Sequence, residues 1–180
     1  MHSIKYKRAT SREELEQIIA LQVKNHTDSL PLEEKNQEGF VSVQHSIALL
    51  EKMNRACAHI LVKENENVVG FALVMLTTFR KEIKMLIPMF ERIDKLVFKN
   101  EKYVIMGQIC IHKKYRQQGL FKGMYAYFKA ELQSEYNCVF TEVSLQNKRS
   151  IEAHKAVGFQ DSISYTADGI TWSIIRWDWT

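Results

Sequence analysis

Polar and apolar residues alternate at the start of the chain, where Ile4 and Tyr6 are interleaved with Lys5 and Lys7, the period of a half-buried strand ending near Arg8. The period then lengthens. Ser11-Arg12-Glu13-Glu14 has the form of a capping box, and Leu15, Ile18 and Ile19 make the apolar stripe of the helix it starts. Pro31 and Gly39 punctuate a polar segment, after which Ile47, Leu50 and Met53 predict a second helix over 46–54. Residues 59–63 and 68–77 read as strands, and Glu64-Asn65-Glu66-Asn67 between them predicts a hairpin. Over 80–100, Ile83, Leu86, Ile87, Phe90, Ile93 and Val97 keep helical spacing, but Pro88 in their midst is expected to kink or divide the helix.

The second half is more regular. Tyr103 to Ile111 is apolar apart from Gln108, the pattern of a strand covered on both faces. A basic turn with Arg116-Gln117-Gln118-Gly119 follows, and Phe121, Met124, Tyr125, Phe128 and Leu132 then fall three or four apart, on one side of a helix. Residues 139–145 predict another buried strand, so strand, helix and strand make a parallel crossover pair. A short helix over 147–157 is closed by Gly158, suited to the left-handed position after a helix end. Strands over 163–165 and 170–179 are joined through Asp168-Gly169, a hairpin signal. Together these elements predict an α/β fold around one twisted mixed sheet, mainly antiparallel, with one parallel pair at its centre.

At 180 residues, with 46% hydrophobic and 26% charged positions, the chain is expected to form a single domain over 1–180 with its own core. The longest apolar run, 68–76, is far shorter than the roughly 20 residues that cross a bilayer, and the first residues carry no apolar signal core. Cys57, Cys110 and Cys138 are widely spaced and odd in number, which argues against a disulfide framework or a zinc site and fits a reducing cytoplasm. The net charge of +4 is dispersed along the chain. It favours an anionic small ligand over nucleic acid, for which no stacking platform is legible.

The basic turn gives that anion a place. The first turn of a helix carries unpaired N–H groups and the positive end of the helix dipole, so a phosphate there is both hydrogen-bonded and attracted. Gly119 allows close approach to the backbone, and His112, Lys113, Lys114 and Arg116 add positive charge upstream.

Two motifs carry a resemblance to a known family. Arg116-Gln117-Gln118-Gly119-Leu120-Phe121 is similar to the pyrophosphate motif of the GNAT acyl-CoA-dependent N-acyltransferases, with Phe121 where the family has Gly or Ala. Asn147-Lys148-Arg149-Ser150, with His154 and Gly158-Phe159, resembles the family's second helix motif, with His154 where tyrosine is usual. The resemblance implies a GNAT-like three-layer sandwich with helices on both sheet faces. It implies acetyl transfer from acetyl-CoA, with CoA as product, to a primary amine of a small molecule or peptide by direct attack. The pantetheine arm and thioester fall to Ile109, Cys110 and Ile111, and the pyrophosphate to Gln117, Gln118, Gly119, Leu120, Phe121 and Lys122, with Arg116 beside them in the cofactor set. Asn147 and Ser150 belong to the cofactor set as well, and His154 is the candidate donor of the thiolate's proton.

Blander readings stand beside these. Asn147 is also a good helix cap, His154 a packed histidine, and Cys110 a small core residue. Glu142 is the best carboxylate for a general base, although an outward-facing strand residue accounts for it too. Tyr165 and Trp172 are candidate borders of the acceptor pocket, and Glu33, Glu34 and Glu38 would suit a cationic acceptor. Neither a membrane nor a metal is expected, and the aromatic C-terminus leaves room for a homodimer. The alternative function is a non-catalytic acyl-CoA-binding module that keeps the groove without acid–base machinery.

Overall fold

The N-terminal alternation folds as strand β1, Ile4–Arg8, in a computed structural model that describes residues 3–29, 31 and 40–179. Helix α1, Arg12–Asn25, starts where the capping signal places it: Ser11 accepts from the Glu14 N–H at 3.3 Å. Glu14 reaches one residue further back than in the usual box, accepting from the Thr10 N–H at 2.8 Å. Glu33, Glu34 and Glu38 lie outside the described residues. Helix α2, Ile47–Ala56, is capped by Ser46. Strands β2, Ile60–Glu64, and β3, Asn67–Met75, form the expected hairpin, with Asn65 taking the left-handed conformation its turn requires.

Pro88 neither kinks nor divides a long helix. It sits in the first turn of a short one, α3, Ile87–Ile93, preceded by two 3-10 turns. In a first turn the missing N–H has no partner to lose, so proline starts this helix rather than breaking it. Strand β4, Tyr103–Ile111, helix α4, Leu120–Leu132, strand β5, Cys138–Ser144, and helix α5, Lys148–Val157, then follow the predicted order. The final hairpin pairs β6, Gln160–Ala167, with β7, Ile170–Asp178. The first of these is longer than its apolar residues predict, because it lies at the sheet edge with most of its side chains in solvent and needs no apolar alternation.

The seven strands form one mixed sheet in the order β1-β2-β3-β4-β5-β7-β6. All neighbours are antiparallel except β4 and β5, the pair joined through α4. Helices cover both faces. Met124, Tyr125, Phe128 and Leu132 of α4 pack with Val62, Val74, Val104 and Val139 on one face. On the other, Ile18 and Leu21 of α1 meet Phe71 and Leu73, while Met89, Phe90 and Ile93 of α3 meet Phe140 and Ile174. Because β3, β4 and β5 are buried from both sides, their apolar runs are continuous rather than alternating.

Candidate active site

The site begins where the parallel pair comes apart. Tyr103, Val104 and Ile105 pair with Cys138, Val139 and Phe140, and the ladder goes no further. Beyond it β4 stays with β3 while β5 stays with β7 as far as Ser144 opposite Trp172. The separation coincides with a bulge: Leu73 is opposite Gln108 but Val74 is opposite Met106, which leaves Gly107 as the extra residue on β4. A bulge bends and twists its strand, so β4 is steered away from β5 at this point. Two clefts open along the resulting fork.

The first cleft, with a volume of about 340 Å³, runs between β4, the basic turn and the start of α5. Ile109, Cys110, Ile111, Arg116, Gln117, Gly119, Leu120, Phe121, Lys122, Asn147 and Ser150 line it. Gln118 does not; its side chain turns back to the Lys114 carbonyl at 3.0 Å. The turn is held in an unusual backbone state, with Gln117 at φ +60° and Gly119 at φ +77°. Gly119 occupies the N-cap of α4 but has no side chain to cap it, so the first-turn N–H groups are left for a ligand. Alternating left- and right-handed residues of this kind form a concave nest of donors. Arg116 fastens the turn: its Nε donates to the Ile111 carbonyl at 3.1 Å and its Nη2 to Asn25 Oδ1 at 2.6 Å.

Gly119 supplies a direct test of this geometry. A side chain added there enters open space, since no described residue lies within 4 Å of its Cβ position. Gly119→Glu is therefore expected to clear its neighbours while placing a negative charge where the diphosphate would sit, and because φ +77° strains any L side chain, Gly119→Ala serves as the control for the backbone alone. Calorimetry should find CoA affinity reduced by roughly tenfold or more, about the cost of one unfavourable charge contact in a partly desolvated site. Undiminished affinity would move the diphosphate away from this turn.

The second cleft opens on the other side of the fork, with a volume of about 90 Å³, and contains Gln108, Thr141, Glu142, His154 and Trp172. Glu142 lies on the β5 face that also carries Cys138 and Phe140, toward α3. Burial pushes its pKa up to about 7, against the opposing pull of Tyr165 and Arg92. Tyr165 donates to Glu142 Oε2 at 2.5 Å, and the Arg92 guanidinium lies 4.0 Å from the centre of the Tyr165 ring. Tyr165 thus holds the carboxylate rather than lining the cleft. Trp172 does line it.

Phe40, Val41, Ile109, Asn147 and Ser150 belong to both clefts. Asn147 caps α5, accepting from the Ser150 N–H at 3.3 Å, and its Nδ2 donates to the Phe40 carbonyl at 3.1 Å. Segment 40–45 is tied down at its other end by a buried network that periodicity did not announce. Gln22 Nε2 donates to His45 Nδ1 and to Gln108 Oε1, each at 2.8 Å, and Gln108 Nε2 donates to the Val43 carbonyl at 2.8 Å. The one visible signal was Gln108 itself, a lone polar residue in an apolar strand.

His154 is 1% exposed, packed at 5.2 Å between ring centroids against both Phe121 and Phe159. The two departures from the family motifs therefore touch: the larger side chain at 121 lies over the smaller ring at 154. Away from both clefts, at the closed end of the fork, the ligand atoms of Glu101, Cys138 and Asp178 lie within 4.8 Å of one another. The Arg176 guanidinium pairs with Glu101 and, at 2.6 Å, with Asp178, so a protein cation already balances this cluster. No helix among the described residues is long and apolar enough to cross a membrane.

Comparison with known proteins agrees with this architecture. A family model described as the acetyltransferase (GNAT) family matches residues 16–159. No curated protein matches the sequence. Among solved structures, the ribosomal-protein-S18-alanine N-acetyltransferase from Escherichia coli is 13% identical with a TM-score of 0.65, covering 98% of this chain and 94% of its own. A GNAT-family protein from Desulfovibrio desulfuricans is 14% identical with a TM-score of 0.68, covering 98% and 99%. NAA60 from Arabidopsis thaliana, solved in complex with acetyl-CoA, is 13% identical with a TM-score of 0.67, also covering 98% and 99%. With the family model spanning most of the sequence and the fork, nest and second motif in place, the chain belongs to the GNAT acetyltransferase family.

Proposed function

We propose that the chain moves the acetyl group of acetyl-CoA to a primary amine of a small molecule or peptide by direct attack, with Glu142 as the general base. The observation that carries this reading is Glu142 itself, a carboxylate tuned to about 7 in the cleft across the fork from the cofactor residues. A base is most effective when its pKa lies near the working pH. The diphosphate would rest on the nest at 117–120 and the pantetheine arm along Ile109, Cys110 and Ile111, bringing the thioester to the junction of the clefts. There an amine entering from the second cleft meets the carbonyl carbon while Glu142 takes its proton. Separating base and cofactor on opposite sides of the strand fork lets both substrates be bound at once, which direct transfer requires.

Purified protein is expected to bind acetyl-CoA and CoA in calorimetry and to release thiol with some member of a panel of amines. The panel should include peptides with free N-terminal alanine, since the Escherichia coli neighbour acts on a ribosomal-protein alanine, alongside polyamines and amino acids. Binding without thiol release across the panel would favour the non-catalytic module, and absence of binding would remove the proposal.

A further inference from the structure

The departing thiolate needs a donor, and the side chain at the family's usual position has no proton to offer it. Burial pushes the His154 pKa down to about 4, so the ring is neutral near pH 7. Its Nδ1 lies 2.6 Å from the Ser150 carbonyl oxygen. A carbonyl only accepts, so the single ring proton is on Nδ1 and is committed to that contact. Nε2 is then a lone-pair acceptor, buried without a partner among the described residues. Neither nitrogen can protonate a leaving group.

The same tautomer orients Ser150. Its Oγ lies 3.3 Å from His154 Nδ1, and because that nitrogen carries the hydrogen, the hydroxyl can only accept there. Its own hydrogen must point elsewhere. Ser150 is half-buried and lines both clefts, at the junction where a thioester attacked from the second cleft has to lie. Asn147, the other polar side chain shared by the clefts, is already engaged with the Ser150 N–H and the Phe40 carbonyl.

We infer that Ser150 is a catalytic residue whose hydroxyl donates to the CoA sulfur as the carbon–sulfur bond breaks, and that His154 is the positioning residue that turns it there. The inference rests on the acetyl-transfer reading above. In balance, the amine nitrogen forms the new bond to the acetyl carbon and its proton passes to Glu142. The electron pair of the carbon–sulfur bond leaves on sulfur. Ser150 stabilises that thiolate by a charge-assisted hydrogen bond and keeps its own proton, and the thiolate is protonated by water as CoA leaves.

The product itself reports on this contact without any acceptor amine. The thiol of CoA bound to the wild-type protein is expected to titrate about one pH unit lower than that bound to Ser150→Ala, a tenfold change in acidity, read from the ultraviolet thiolate band against protein alone. Both proteins are read at saturating CoA, so that a change in affinity does not enter the comparison. Ser150→Thr, which keeps the hydroxyl, should restore most of the shift, and His154→Phe should lose part of it by freeing the serine rotor. The same bound pKa in wild type and Ser150→Ala, with CoA bound in both, would overturn the inference and leave acetyl transfer standing. Failure of wild-type protein to bind CoA would overturn both.

Discussion

Replacing Glu142 by glutamine is expected to lower kcat/KM for amine acetylation by roughly a hundredfold or more, the usual contribution of a positioned general base. Glutamine preserves size and can still accept from Tyr165, so the loss reports on proton acceptance rather than packing. In the wild type the free carboxyl titrates at about 7, because burial disfavours its charged form more than Tyr165 and Arg92 favour it. Only the ionised form is a base. The rate should therefore rise with pH through about 7 and fall roughly tenfold for each pH unit below it. Tyr165→Phe removes the 2.5 Å hydrogen bond to the carboxylate, which stabilises the charged form, so the same profile should move to higher pH. CoA affinity, set across the fork, should change little in either variant. Wild-type turnover by Glu142→Gln with an unshifted profile would assign the proton to water or to another group.

Much of the fold could be read from one-dimensional pattern because its elements are separately periodic. The strand at 103–111, the helix over it and the capped helix after Asn147 each bury a face that neighbours in sequence define. The fork could not be read that way. It depends on Gly107 being left over when β4 pairs with β3, a matter of register between strands some thirty residues apart, and no local pattern contains register. Glu142 is ambiguous for the same reason: what tunes it is burial, partly offset by Tyr165 on β6 and Arg92 on α3, and these are brought together only by the fold. The two motif departures show the complementary case. Phe121 and His154 each read as an isolated anomaly, yet at 5.2 Å they form one packed unit that neither motif shows by itself.

Acidification is expected to destabilise the protein steeply, beginning near pH 6.5 and before the carboxylates other than Glu142 are titrated. Three histidines are buried in neutral form, each with its pKa depressed from an ordinary 6.5 mainly by burial: His45 to about 4, His59 to about 3 and His154 to about 4. Their contacts require the neutral ring. His45 Nδ1 accepts from Gln22 Nε2 and His59 Nδ1 accepts from the Val74 N–H at 3.1 Å, so protonation there sets donor against donor. His154 would gain its proton on Nε2, among the rings of Phe121, Tyr125 and Phe159. A depressed folded pKa gives stability that is complete above the unfolded value and is lost as pH falls toward the folded one. Glu142 works in the opposite sense. Its pKa is raised from 4.5 to about 7, so between these values the folded chain holds a proton that the unfolded chain lacks. Three protons gained on unfolding and one released leave a net uptake of about two, or roughly 3 kcal/mol lost per pH unit between pH 6 and 5. Over that one pH unit the loss is a sizeable fraction of the stability of an ordinary domain, about 5–15 kcal/mol. Urea midpoints followed by circular dichroism from pH 7 to pH 4.5 should fall accordingly, and His45→Gln should remove one proton from the slope. A flat dependence would require solvated or protonated histidines, which is incompatible with the Gln22–His45–Gln108 network that holds segment 40–45 between the two clefts.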